Sequence, residues 1–415
     1  MELRYLLPAF LVLSLTVNCA EKARYDNYRI YEIIIENDEQ LELLKDIENN
    51  SYGYEVIRFP NSIDKNVEIL VPPHKLGEFS EIIENFQFKS QLLMNNLQEI
   101  IDNEQPKERS SRLDWTRYWT LTEITSWLKQ LVANQPDDLQ MINIGTSHEG
   151  RPILGVKLNI GNGTGKKQII LEGTMHAREW ISTATVTWIL NELLTSEIPE
   201  IKVLAANYEW IILPVINVDG YEYSWTSDRM WRKTRQRFGR LCVGVDPNRN
   251  FDNFFNQAGA SPNPCRNTYA GPFPFSEPET KQYSEFMASL PNLAGYFSFH
   301  SFGQMLLLPY GYTQELLDNY DELYEIGKKA VAALRVRYRT RYQLGSIANV
   351  LYYATGNSLD WLKYNYQTNV TYVYELRDRG LNRFILPASQ IIPNCLEVFD
   401  SLFVILTEAQ KKGIA

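Results

Sequence analysis

The sequence predicts two α/β units: an α/β/α layered domain with a mixed central sheet over residues 113–415, preceded by a ferredoxin-like α+β domain over 21–105. Three observations carry this. In the first unit, short strands and amphipathic helices follow the order strand, helix, strand, strand, helix, strand, which suits a small antiparallel sheet with helices on one face. In the second, helical segments alternate with short, fully apolar, β-rich runs of the kind buried on both faces. Between them, residues 102–112 are polar and lack apolar periodicity. The 415 residues are ample for two cores, and 44% hydrophobic with 22% charged residues is ordinary globular composition.

The elements follow in order. After Glu2 and Arg4 comes an apolar run over 6–17, too short for a bilayer and placed as in a signal peptide, so residues 1–20 are expected to be removed and the protein secreted. Strands are expected at 28–35, 54–59, 67–71 and 89–94, with helices at 39–48 and 75–86. The linker 106–112 offers Lys107, Arg109 and Arg112 to a trypsin-like protease. In the second unit, Thr120 and Glu123 form a capping box for a helix. Ser276 and Glu279, with Pro278 in the first turn, are expected to form another. Buried strands are expected at 168–172, 210–214, 294–299 and 370–374, and helices at 181–195 and 314–335. The glycine-rich 161–166 precedes a strand where a phosphate loop follows one, so it is expected to be a hairpin-type turn. No segment after the signal reads as long and apolar enough to cross a membrane.

With 41 Lys+Arg against 50 Asp+Glu, the net charge of −9 argues against nucleic-acid and anionic-membrane partners. Residues 21–112 alone hold 19 acidic and 11 basic side chains, a net of −8, so the acidity belongs to the first unit. Cys242 and Cys265 enclose a Pro/Asn/Gly-rich stretch suited to a disulfide in an oxidising compartment. Cys395, among Ile391, Ile392, Leu396 and Val398, is expected to be a buried thiol. Asn49, Asn162 and Asn369 head Asn-x-Ser/Thr triplets, Asn369 being least suited to glycosylation because it adjoins a strand.

The chain has four histidines. His176 and Glu179 directly follow the strand at 168–172, and His300 ends the strand at 294–299, so both segments can meet outside the carboxyl ends of a parallel sheet. Two imidazoles and a carboxylate with an open fourth position suit a catalytic zinc ion. On its own a His-x-x-Glu spacing is weakly specific, being more often a surface or capping pair.

The surrounding blocks add to it. They are His-Ala-Arg-Glu at 176–179, Asn-Val-Asp-Gly-Tyr at 217–221, Arg-Met-Trp-Arg-Lys-Thr-Arg at 229–235 and Cys-Val-Gly-Val-Asp-Pro-Asn-Arg-Asn at 242–250. Leu-Pro-Tyr-Gly-Tyr at 308–312, Tyr-Glu-Leu-Arg-Asp at 374–378 and Leu-Pro-Ala-Ser-Gln-Ile-Ile-Pro at 386–393 complete them. With these blocks the sequence resembles the zinc metallocarboxypeptidases of the carboxypeptidase A/B family, and residues 21–105 resemble that family's activation segment. The resemblance implies a secreted, monomeric zymogen acting on peptide and protein C-termini with one zinc ion held by His176, Glu179 and His300.

It further implies Glu375 as general base, taking a proton from the attacking water and passing it to the leaving amine, and Arg232 as the oxyanion stabiliser. Asn248 and Arg249 match the clamp on the substrate carboxylate, Tyr352 the phenol that closes over the terminal residue, and Arg178 and Arg229 subsidiary substrate contacts. Asp246 matches the acceptor that orients His176. Leu359 matches the pocket floor, and Ile347, Leu351, Ala354 and Val373 its walls. An all-apolar pocket disfavours Lys and Arg side chains and implies a preference for apolar or aromatic C-terminal residues. Asn357 is bulkier than the glycine expected of the family, and Phe302 lacks the hydroxyl of the usual Tyr. His74 and His148 match no functional position. The acidity of the first unit suggests electrostatic attraction to the arginine-rich cleft. The alternative, an inactive peptide-binding member of the same fold, calls for loss of a zinc ligand, Glu375 or Arg249, and all are present. A serine hydrolase has no Gly-x-Ser-x-Gly elbow here.

Overall fold

The computed structural model describes residues 21–50, 53–58, 66–106 and 113–415. The signal segment and the cleavage candidates Lys107, Arg109 and Arg112 lie outside the described residues, as does the side chain of Asn49.

In the first unit, β1 (Arg29–Ile34), β2 (Glu55–Arg58), β3 (Asn66–Val71) and β4 (Lys89–Met94) form an antiparallel sheet in the order β2-β3-β1-β4. Side chains alternate between its faces. Ile33, Val67, Ile69 and Val71 pack with Leu44, Ile47 and Phe79 from the helices Asp38–Asn50 and Leu76–Asn85. On the opposite face Ile30, Leu70 and Met94 pack on Met230, Phe302, Phe384 and Ile385 of the second unit. Both faces of the sheet are covered, which accounts for the unbroken burial of β3 from Val67 to Val71.

The second unit is built on β5 (Leu139–Thr146), β6 (Pro152–Leu158), β7 (Lys167–Gly173), β8 (Tyr208–Leu213), β11 (Leu293–Ser301), β12 (Met305–Leu308), β13 (Gln343–Ser346) and β14 (Val370–Leu376). Two short strands, β9 (Arg237–Phe238) and β10 (Cys242–Val243), pair separately beside the Cys242–Cys265 disulfide. The large sheet runs β13-β12-β14-β11-β7-β8-β6-β5. Its centre, β14-β11-β7-β8, is parallel, whereas β12, β6 and β5 join through antiparallel pairings, giving the expected mixed sheet. The helices Trp180–Thr195, Tyr320–Tyr338 and Ile391–Lys411 pack together on it. Cys395 is buried here, and burial pushes its thiol up.

Four local expectations need correction. The Thr120 capping box forms, with Thr120 accepting from the Glu123 N–H and Glu123 reaching back to the Thr120 N–H. The second box does not. Glu277 is the N-cap of the helix Pro278–Ala288, and Glu279 turns away to accept the N–H of His148 at 3.0 Å. The helix expected from 314 starts at Tyr320, where Asp321 and Glu322 complement the helix dipole, after a turn that buries Leu317. Residues 161–166 join β6 to β7, which flank β8 on either side and do not pair, so this turn closes no hairpin. Finally, Ala388–Lys411 is long and apolar enough by composition to cross a membrane, contrary to expectation; here it is a core helix with Cys395, Val398, Leu402 and Ile405 buried.

Candidate active site

The parallel centre of the sheet delivers the reactive side chains to one edge. His300 and Glu375 are register partners on β11 and β14, and the loop after the neighbouring β7 carries His176 and Glu179. That loop is fixed from below by Asn217, whose amide donates to the carbonyls of Met175, Arg232 and Lys233. Glu179 then caps the helix Trp180–Thr195.

The ligating atoms of His176, Glu179 and His300 lie within 4.8 Å of one another, and all three residues are buried. His176 Nδ1 is 2.8 Å from Glu179 Oε1, while His300 Nδ1 is 3.0 Å from Glu179 Oε2 and 3.1 Å from His176 Nδ1. The other nitrogen of His176, Nε2, lies 3.1 Å from Asp246 Oδ1, and Asp246 Oδ2 accepts from Arg232 Nε and NH2 at 3.1 and 2.7 Å. Burial, with Arg232 adding to it, pulls His176 below its ordinary value. Burial acts on His300 in the same sense, but Glu179 overrides it and holds the imidazole up at about 9. Glu179 and Asp246, despite burial, stay below the usual carboxylate range because imidazoles, and for Asp246 chiefly Arg232, surround them. Converging imidazole nitrogens and an ionised carboxylate, with one imidazole fixed from behind by Asp246, are a donor set that fits zinc.

Two adjoining cavities share His176, Leu351, Tyr352 and Glu375. The first also contains Arg178, Glu179, Arg232, Phe302 and Phe384. The second contains His300, Asn248, Arg249, Leu307, Ile347, Ala354, Asn357, Ser358, Leu359 and Val373. Arg249 is anchored through Nε to the Gly259 carbonyl and through NH1 to the Asn248 carbonyl, with its guanidinium 5.7 Å from the Tyr352 ring centre. Asn248 is held by the Ser358 N–H at 3.0 Å.

Arg229 is the exception among the expected substrate contacts. It lines neither cavity; 1% exposed, it lies over the Trp180 ring and donates to the carbonyls of Arg178 and Phe384. Its remaining partner is Glu104, which takes two bonds, at 2.7 Å from Nε and 2.5 Å from NH2. Burial pushes the Glu104 carboxyl up, against the pull of Arg229. Arg178 donates to Glu55 at 2.5 Å, Glu68 pairs with Arg383 at 2.5 Å, and Ile57 lines the first cavity. The first unit therefore lies across the cleft, engaging Arg178 within it and Arg229 beside it. Sequence reasoning missed Glu55, Ile57, Glu68 and Glu104, which carry no local pattern, Leu307, which borders a recognised block, and Ser358, which lies between Asn357 and Leu359. His74 and His148 stand apart from both cavities, as expected.

Comparisons with known proteins agree. Residues 124–401 match the zinc carboxypeptidase family, and residues 31–104 match the carboxypeptidase activation peptide. Zinc carboxypeptidase A 1 of Anopheles gambiae is 40% identical over 412 residues, spanning 98% of this chain and 95% of the relative. Carboxypeptidase A1 of Sus scrofa is 34% identical over 397 residues, 93% and 94% of the two chains. Among solved structures, that of thrombin activatable fibrinolysis inhibitor superimposes with a TM-score of 0.86 at 29% identity, covering 93% of this chain and all of that one. Carboxypeptidase A from Helicoverpa armigera gives 0.83 at 27% identity, covering 93% and 98%. The chain belongs to the zinc carboxypeptidase family and is a metallocarboxypeptidase hydrolase that carries its activation peptide.

Proposed function

We propose that the protein is a secreted proenzyme which, once a trypsin-like protease cuts between residues 107 and 112, removes single apolar or aromatic residues from peptide C-termini. The observation that carries this is the junction of the two cavities: the His176, Glu179 and His300 cluster and Glu375 adjoin a cavity whose lining includes the aliphatic Leu307, Ile347, Ala354, Val373 and the buried Leu359.

His176, Glu179 and His300 would hold one zinc ion, which when bound would supply Lewis acidity to the site. Glu375, half-buried between the cavities, accepts the proton of the attacking water and delivers it to the departing amine. Arg232 places a fixed positive charge where the carbonyl oxygen becomes anionic; its partner Asp246 keeps the guanidinium in place. Arg249, already anchored on two backbone carbonyls, binds the substrate carboxylate with Asn248, and Tyr352 covers the terminal residue. Leu359 and its neighbours offer no counter-charge to a Lys or Arg side chain, which would be left desolvated.

The test is Glu375→Gln: the variant retains zinc by metal analysis and loses turnover, and substantial activity would remove Glu375 from its role. Activated enzyme releases C-terminal Leu or Phe in preference to Lys or Arg, chelator abolishes the reaction, and added zinc restores it. Peptide binding without hydrolysis would favour the inactive binding protein instead.

A further inference from the structure

We propose that Asn357 sets the depth of the side-chain pocket and directs the enzyme toward aliphatic C-terminal residues, leucine foremost, over aromatic ones. This rests on reading the second cavity as the pocket for the terminal side chain. Beside Asn357 its lining includes the aliphatic Leu307, Ile347, Leu359 and Val373.

The Asn357 carboxamide is a fixed part of the wall. It is 2% exposed and is the N-cap of the helix Ser358–Tyr366, with Oδ1 accepting from the Asp360 N–H at 2.8 Å. Its Nδ2 donates to the Ala354 carbonyl at 2.7 Å. Behind it the chain passes so closely at Gly311 that a Cβ there would lie 3.0 Å from Nδ2 and 2.8 Å from the Ala354 oxygen. The Gly311 N–H is in turn held by Asp360 Oδ2 at 2.8 Å. An incoming side chain therefore meets a carboxamide with both ends bonded and backbone at its back. To move it, a ligand must break two buried hydrogen bonds and leave their partners unpaired.

The space that remains is ≈ 30 Å³, room for about two water molecules. A branched four-carbon side chain asks for less displacement of the half-buried Leu351 and Tyr352, which both cavities share, than a ring does. A six-membered ring or an indole needs more room, and the Asn357 carboxamide, bonded at both ends, resists yielding it. Differences of one or two carbon atoms in an apolar pocket change kcat/KM by about ten- to a few hundredfold, and this is the range in which Asn357 discriminates.

The experiment measures kcat/KM of trypsin-activated full-length protein on N-acylated dipeptides ending in Leu, Phe, Trp or Lys, for the wild type, Asn357→Gly and Asn357→Ser. Glycine and serine are both accepted at a helix N-cap, serine retaining a capping oxygen, so the two variants separate pocket volume from helix integrity. The wild type is expected to favour Leu over Trp by about tenfold or more, with Phe between, and both variants to narrow the Leu-to-Trp ratio by about tenfold. A wild type that prefers Trp or Phe, or variants that leave the ratio within about twofold, overturns the proposal. Fastest release of Lys, or none of any residue, overturns the proposed function itself.

Discussion

Changing Glu104 to glutamine is expected to make the uncut protein leak activity. Glu104 and Arg229 are each about 2% exposed at the side chain and form a bidentate pair. Removing one charge from such a buried pair costs about 3–5 kcal/mol. Arg229 keeps its bonds to the Arg178 and Phe384 carbonyls and its stacking on Trp180, which places the cost near the lower end. Only the docked arrangement carries that penalty, because water can hydrate Arg229 once the activation peptide lifts away. At about 1.4 kcal/mol per factor of ten, the open fraction rises on the order of a hundredfold. The assay is hydrolysis of a peptide ending in leucine by purified, uncleaved protein. After cleavage the wild-type and variant mature enzymes are identical, since Glu104 departs with the activation peptide, so equal activity then is a built-in control. A basal rate within about threefold of the wild type, from a variant with native circular dichroism, would refute the reasoning.

Other outcomes follow from the same contacts. Because Arg178 and Arg229 pair with Glu55 and Glu104 at buried or half-buried positions, inhibition in the intact protein should change less than about threefold between roughly 50 and 500 mM salt. A steeper dependence would restore the view that the overall acidity of the first unit holds it in place. Burial raises the Glu279 carboxyl to about 7. The native state therefore keeps a proton that the unfolded chain loses, and stability declines as pH rises from the ordinary carboxylate range through about 7, by on the order of 3 kcal/mol. Glu279→Gln keeps an acceptor for the His148 N–H and should flatten that slope and raise the melting temperature at pH about 8; identical Tm profiles would exclude it. Leu359→Asp should reverse the Leu-to-Arg preference by more than about tenfold while lowering stability, since the new carboxylate is buried until a cationic side chain meets it. Retained preference for leucine would show that Leu359 is not the floor.

The parts of this molecule legible in its sequence are those with local rules. The four central strands, buried on both faces, appear as continuous apolar runs, and Thr120 and Glu123 announce their helix three residues apart. The outer strands were not legible for the opposite reason: β5 and β6 mix exposed and buried positions, and β12 and β13 have only four residues each. His176, Glu179 and His300 were accessible through recognised blocks, although 121 residues separate Glu179 from His300 and only the parallel register unites them. The grip of the activation peptide is invisible in the sequence, because Glu55 and Glu104 resemble any of the acidic residues around them until β2 and the turn after the helix Leu97–Asp102 place them against Arg178 and Arg229. Asn357 is bulky in the sequence too, but whether it narrows a pocket depends on Gly311 packing against it.

Asp246 joins two parts of the site that chemistry treats as separate, one oxygen lying 3.1 Å from His176 and the other accepting both Arg232 bonds. Damage to either neighbour leaves the shared carboxylate poorly matched and disturbs the survivor. In a thermodynamic cycle, the losses from Asp246→Asn and Arg232→Lys should consequently fail to multiply, the double variant being only slightly worse than the poorer single one. Kinetically, the imidazole, the carboxylate and the guanidinium count as one component.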